Sequence, residues 1–349
     1  MNLESRPKII AVLAIFAAMI MITSYVFVLS SEAEGYDGAV DAMGNRLTFD
    51  TVPERIISTA PSITETIYAL GYDDKLVGVS HNCDFPASLV AKVDSGDIKT
   101  LGAYNNPNRE EIINLTADVV FITQTAGGTS AYNHLKNAGE KVVLLFQEKT
   151  MQDIYMNLMI IAKTMQDEES AMAVQQSMMQ TFNTVQEMSQ QGENPKVMLN
   201  LGFAWGLSSV WGYGSQTFGN EIINMANGTN VLTASGFNLV NLEFIETDAG
   251  NPDVIIAMVQ GGQNFTQDNW NSTMDELRAH PNWGNTDAVQ NDDVYFFYGR
   301  AASISQRAGP AMEDFSKLAC MILQPELFDG FVPPKVIGDD YADLFEGHW

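Results

Sequence analysis

Residues 55–80 read Arg55-Ile-Ile-Ser-Thr-Ala-Pro-Ser-Ile-Thr-Glu65-Thr-Ile-Tyr-Ala-Leu-Gly71-Tyr-Asp-Asp-Lys75-Leu-Val-Gly-Val-Ser80. Their order decides the fold. Arg55–Thr59 reads as a buried strand that Ala60-Pro61 breaks, since proline cannot donate to a sheet ladder. Ser62-Ile63-Thr64-Glu65 has the spacing of a capping box, in which hydroxyl and carboxylate satisfy free N–H groups at a helix start. That helix runs to Leu70 and stops at Gly71, a residue type that tolerates the left-handed turn after a helix. Lys75–Ser80 is a second strand. Strand, helix and strand with short links form one unit of a parallel sheet.

The unit repeats along the chain. Asn108 caps a helix ending near Thr116, and Asp118–Thr123 is a strand. Residues 130–138 form a helix closed by Gly139, and Lys141–Phe146 a strand. The α/β pattern restarts at Lys196–Leu201. A Gly/Trp/Ser-rich loop follows at 202–215, then helices at 216–226 and 241–248, a strand at 253–258, a helix at 272–279 and a strand at 293–298. Residues 306–323 form a closing helix.

Between these halves residues 151–189 change character. Ile154, Leu158, Ile161 and Met165, then Ala171, Val174, Met178, Phe182 and Val185, recur at helical spacing. Neither glycine nor proline interrupts 151–191. Asp167-Glu168-Glu169 is a second cap or a wet face, so the stretch reads as a helix pair and rigid strut. Its methionines read as core filling. The expected organisation is 1–30 signal-anchor or signal peptide, 31–150 N-terminal α/β lobe, 151–190 linking helices, 191–325 C-terminal α/β lobe and 326–349 tail. The fold class is thus α/β, two doubly wound lobes bridged by a helical strut. The polar, aromatic tail is expected as a surface appendage.

Composition bounds the function. Eighteen basic against 43 acidic residues give a net charge of −25, which excludes nucleic acid as a partner because nothing would neutralise its phosphates. Cys83 and Cys320 match no metal spacing, and they read as two separate thiols rather than a disulfide framework. His81, His134, His280 and His348 show no metal-ligand spacing, and no phosphate loop, nucleophile elbow or zinc-protease motif is present. Gly127-Gly128 and Gly261-Gly262 are too short for phosphate loops and read as turns. No metal site, permanently bound cofactor or catalytic residue is expected.

The N-terminus sets the compartment. After Arg6 and Lys8, Ile9 to Leu29 is an uncharged apolar run, long enough to cross a hydrocarbon core of about 30 Å. The basic flank stays inside, which puts Ser30 onward outside. An uncleaved signal-anchor in the cell membrane is expected, with cleavage near Ser31-Glu32-Ala33 as the alternative. No cysteine follows the run, so a lipid-anchored cysteine does not fit. Asn-x-Ser/Thr sequons at Asn114, Asn227, Asn264 and Asn271 accord with export.

Further segments carry a resemblance: Ala69-Leu-Gly-Tyr72, Asp84-Phe-Pro86, Gly102-Ala-Tyr-Asn-Asn-Pro-Asn-Arg-Glu110, Ala117-Asp-Val-Val120, His280-Pro-Asn-Trp283 and Ala288-Val-Gln-Asn-Asp-Asp-Val-Tyr295. With the stretch at 55–80 they resemble, over roughly residues 45–325, the ABC-importer binding proteins that carry vitamin B12, haem and ferric siderophores. The B12 branch is nearest. The resemblance implies a monomer that captures cobalamin or another metal chelate between two lobes, with small lobe movement, and hands it to an ABC permease.

It also implies residues. One glutamate per lobe docks on the permease, and Glu110 and Glu243 match by position. Each starts a helix shortly before a buried strand, so each also suits a helix N-terminus through the dipole. Aromatics face the ligand in the B12 branch, and Tyr104 and Phe237, each six residues before its glutamate, stand there; ordinary packing is the other reading. Phe203, Trp205 and Trp211 lie in the loop with Gly202, Gly206, Gly212 and Gly214. Pro61, Ser62, Asn82 and Thr125 fall at strand carboxyl ends, where open α/β sheets bind ligands. Asn82 stands where that branch would carry an aromatic. Arg300 follows the last strand, where it could meet a carboxylate. These departures keep haem and ferric chelates beside cobalamin.

Overall fold

The computed structural model describes residues 37–203, 206–259 and 264–349. The apolar run at 9–29, Trp205 and Gly261-Gly262 lie outside the described residues.

A small antiparallel pair, β1 (Asp37–Val40) and β2 (Arg46–Thr48), precedes the first sheet. That sheet collects β3 (Ile56–Ser58), β4 (Leu76–Val79), β5 (Lys99–Thr100), β8 (Val119–Thr123) and β9 (Val142–Leu145) in the order β5-β4-β3-β8-β9, all parallel. A hairpin, β6 (Gly102–Ala103) with β7 (Asn106–Pro107), stands beside it. Its helices are α1 (Pro61–Ala69), α2 (Ala87–Asp94), α3 (Arg109–Asn114) and α4 (Ala126–Asn137). Then come α5 (Met151–Thr164) and α6 (Glu168–Ser189).

The second sheet runs β13-β11-β10-β14-β15-β16, with β12 also on β10. Its strands are β10 (Lys196–Asn200), β11 (Trp211–Tyr213), β12 (Thr229–Asn230), β13 (Phe237–Leu239), β14 (Val254–Met258), β15 (Val294–Phe297) and β16 (Val336–Ile337). β10, β12, β14, β15 and β16 are parallel, whereas β11 runs antiparallel to both its neighbours, β10 and β13. The accompanying helices are α7 (Phe218–Met225), α8 (Gln267–Ala279), α9 (Asp287–Gln290), α10 (Gly299–Gln306) and α11 (Met312–Leu323). Among the described residues no helix is long and apolar enough to cross a membrane.

The hydrophobic runs are continuous because both sheet faces are covered. In β8, Val119 and Phe121 enter one core while Val120 and Ile122 enter another. In β14, Ile256 and Met258 join the first core and Ile255 and Ala257 a third. Successive side chains of a strand point to opposite faces, so one apolar run feeds two cores. The first core is shared: it holds Ile56 and Phe121 from one sheet, Val197 and Phe297 from the other, and Ile154, Leu158, Met178 and Phe182 from α5 and α6. Asn157 ties α5 to the first sheet, its side chain both accepting from Phe146 N and donating to Phe146 O at 2.9 Å. Glu221 of α7 accepts from Met151 N at 2.7 Å, so the first turn of the same helix is also held by the second half of the chain. Asp167 does cap α6, accepting from Ser170 N.

Several elements depart from the sequence reading. No capping box forms at α1: Pro61 occupies the first turn and the side chain of Glu65 turns away into a buried ion cluster. Proline supplies the fixed φ that the helix start needs, so the cap is dispensable. Gly127-Gly128 is not a turn but the first turn of α4, which Thr125 caps by accepting from Gly128 N. A Cβ on Gly127 would lie 1.7 Å from Asn105 O, so the glycine lets the helix end touch the β6–β7 hairpin. The loop at 202–215 contains β11, where Gly212 marks close packing against Leu232. The helix expected at 241–248 is only a 3-10 turn, Phe244–Glu246, because Asn241 accepts from the N–H groups of Glu243 and Phe244 and holds the chain in a turn. The closing helix expected at 306–323 begins only at Met312: an unexpected helix, α10, ends at Gln306, and Pro310 between them disfavours helical backbone in the residue ahead of it. The tail is no appendage: β16 extends the second sheet, and Phe328 and Tyr341 are buried.

Candidate ligand-binding cleft

The carboxyl ends of the parallel strands of both sheets meet at a cleft of about 910 Å³. In the first sheet the strand order reverses between β3 and β8, the switch point at which open α/β sheets leave a crevice. Pro61 and Ser62 follow β3, Asn82 follows β4 and Thr125 follows β8, and all four line the cleft. Tyr104, at the tip of the β6–β7 hairpin, lines it too. Its N–H donates to Asn82 Oδ1 at 3.1 Å, so Asn82 spends its side chain on posing the hairpin that carries the aromatic.

From the second sheet come Phe237 of β13, Val259 after β14, and Gly299 and Arg300 at the start of α10. Phe237 packs edge-on against the buried Tyr213 at 4.7 Å between centroids. Tyr104 is 42% exposed and Phe237 43%. Large apolar rings left this open on strand and hairpin ends form a surface ready to bury area against a ligand.

Two expected residues lie elsewhere. Phe203 packs into the core of the second sheet, 5.4 Å from Trp283 and 5.9 Å from Phe296. Trp211 is exposed on β11 beside its register partner Leu239, away from the cleft lining. Loop glycines drew attention to both, but β11 fixes where the chain goes.

Arg300 lines the cleft yet is already engaged. Its two terminal nitrogens donate to the Glu65 carboxylate at 2.8 and 2.9 Å, and its guanidinium lies 3.6 Å over the Phe85 ring. Its backbone N–H donates to Asp339 Oδ1 at 2.6 Å, an acceptor delivered by the tail after β16. Gly299 is required there: it sits at φ +51°, and a Cβ would strike that same carboxylate.

Arg307 was not singled out in the sequence. It ends α10, seven residues after Arg300, a spacing that puts both on one helix face. Its Nη1 reaches Glu65 Oε1 at 3.1 Å and Asp84 Oδ1 at 2.5 Å, and its Nη2 reaches Asp84 Oδ2 at 2.9 Å. Burial works against its charge, but Asp84 and Glu65 outweigh that and raise its pKa above the usual arginine value. Glu148 is a second residue missed. It lines the cleft, accepts from Ser62 Oγ at 3.1 Å, and has its carboxyl pushed up by burial to about 7. The half-buried Cys83 beneath is a free thiol, pushed up by burial to about 11, and Cys320 is free and buried.

Glu110, in the first turn of α3, and Glu243, at the start of its 3-10 turn, are both exposed. Neither lines the cleft.

A fold of two largely parallel sheets facing each other across a cleft defines the class of the molecule. The chain belongs to the periplasmic binding protein family, whose sequence profile matches residues 56–300. It is 26% identical over 260 residues to the ABC transporter substrate-binding lipoprotein YvrC of Bacillus subtilis, covering 73% of this chain and 76% of the relative. It is 23% identical to the Fe(3+)-citrate-binding protein YfmC of the same organism, over 76% of this chain and 80% of the other. Among solved structures, the periplasmic vitamin B12 binding protein of Vibrio cholerae superposes with a TM-score of 0.61 at 21% identity, over 78% of this chain and 97% of that one.

Proposed function

We propose that this protein is an extracytoplasmic solute-binding protein that captures a metal chelate, cobalamin or an iron chelate, in the cleft and delivers it to an ABC importer. One observation carries this reading: Tyr104 and Phe237, one from each sheet's side, stand half exposed on the walls of a 910 Å³ cleft. That volume suits a large ligand, and rigid rings bury area at low entropic cost. Membership of the binding-protein family, and relatives named for ferric citrate and for substrate binding to an ABC transporter, support it.

Calorimetric titration of the full-length chain in detergent with cobalamin, haemin and ferric citrate tests the reading. Submicromolar binding of one is expected, and failure of all three would overturn the metal-chelate class.

Exposed Glu110 and Glu243 are the docking contacts for arginines of the permease, since surface carboxylates set register and encounter rate. Residues 9–29 anchor a monomer in the cell membrane with the cleft outside the cytoplasm. N-terminal sequencing of native protein tests the anchor: a start near Glu34 would mean cleavage.

A further inference from the structure

Arg307 holds two carboxylates of unequal standing. Glu65 is 8% exposed and is shared with Arg300, whereas Asp84 is 65% exposed and grips Arg307 through both oxygens. Unpairing Glu65 would strand a buried charge, a strongly unfavourable step. Releasing Asp84 sends it into water, which compensates it well. The two guanidinium groups then face one carboxylate, and one positive charge is left over in the cleft.

Arg300 cannot use that charge, because Glu65 takes its terminal nitrogens and Phe85 covers its face. Arg307 can: its fork toward Asp84 is the planar, paired arrangement that recognises a carboxylate in bidentate fashion. Among the described residues lining the cleft, Arg300 and Arg307 are the only guanidinium or ammonium groups. Glu148 and Asp339 line it as acids and His81 is the one other basic side chain among these lining residues, which leaves Arg307 as the guanidinium an entering anion can take up.

We propose that Asp84 is an internal stand-in for a carboxylate of the ligand, displaced from Arg307 when an anionic, carboxylate-bearing iron chelate enters. Arg307 is thus the specificity-determining residue that selects an anionic chelate over an uncharged corrinoid. This rests on the cleft being the ligand site.

The experiment titrates the full-length chain and its variants with ferric citrate, with cyanocobalamin as the uncharged comparison. Asp84→Asn removes the competitor and is expected to tighten ferric citrate about two- to fivefold, the scale of an exposed ion pair. Arg307→Gln is expected to weaken it at least tenfold, and Arg307→Lys to restore part of the loss; melting curves confirm that each variant folds. Cyanocobalamin, which has no carboxylate to offer Arg307, is expected to change less than ferric citrate at both positions. Unchanged or weaker ferric citrate binding by Asp84→Asn overturns the proposal, as does an equal gain for cyanocobalamin. The paired variant Tyr104→Ala, Phe237→Ala separates the two levels. If it loses ligand while Asp84→Asn has no effect, the cleft is the site and only the stand-in is wrong. If it keeps full affinity, the cleft reading itself falls.

Discussion

Arg300 and Glu65, 235 positions apart in sequence, are joined by two hydrogen bonds of 2.8 and 2.9 Å. Both side chains are nearly buried, at 12% and 8% exposure. The pair links the helix after β15 to the helix after β3, and so links the ends of the two sheets.

Removing one partner of a buried pair leaves an uncompensated charge. Glu65→Ala strands the Arg300 guanidinium and leaves Arg307 with Asp84 alone, and is expected to cost about 3–5 kcal/mol in urea unfolding. The double change Glu65→Leu, Arg300→Met removes both charges and should recover much of that. Equal destabilisation by single and double variants would contradict the pairing energetics.

Tyr104 and Phe237 are too exposed to carry the core. Tyr104→Ala with Phe237→Ala is expected to weaken ligand binding at least tenfold while moving the unfolding midpoint little, since half-open rings contribute a fraction of the area a buried ring does. A large drop in stability with intact affinity would assign them to packing instead.

Glu110→Arg together with Glu243→Arg should abolish ligand import in a reconstituted transporter and leave ligand affinity unchanged, because both side chains lie outside the cleft lining. Full transport by this variant would remove the docking assignment.

Glu148 gives the fold a pH signature. Its carboxyl rises from an ordinary 4.5 to about 7 through burial, so the folded state favours the protonated form. The associated stability is fully present below pH 4.5 and is lost as pH rises through 7. The loss is on the order of 2 kcal/mol, reduced from the full shift because the group touches the open cleft. Glu148→Gln should flatten stability against pH over that window. A wild-type profile as flat as the variant's would contradict the buried carboxyl.

Local signals were legible wherever a short stretch determines its own conformation. Gly71 ends α1 at φ +79°, Asn108 caps α3, and the apolar spacing of Ile154 to Val185 yields α5 and α6. Signals whose meaning depends on a distant partner were misread. Glu65 has a capping-box position, yet a cation contributed by α10 draws it inward. Gly127-Gly128 looks like a turn, yet hairpin packing requires it within a helix. Phe203 and Trp211 share a glycine-rich loop, and nothing nearby says that β11 crosses it.

The sequence by itself determined the α/β alternation, the parallel order implied by short strand–helix units, and the strut, because hydrophobic period and turn chemistry act within a few residues. It also brought Pro61, Ser62, Asn82 and Thr125 to strand ends. Only the tertiary structure decided which residues face one another across the cleft. Arg307, Glu65, Asp84 and Glu148 are brought together from four separate segments, and the tail supplies Asp339 from beyond β16. Charges pair where packing leaves them the least water, and that is a property of the assembled sheets rather than of any one segment.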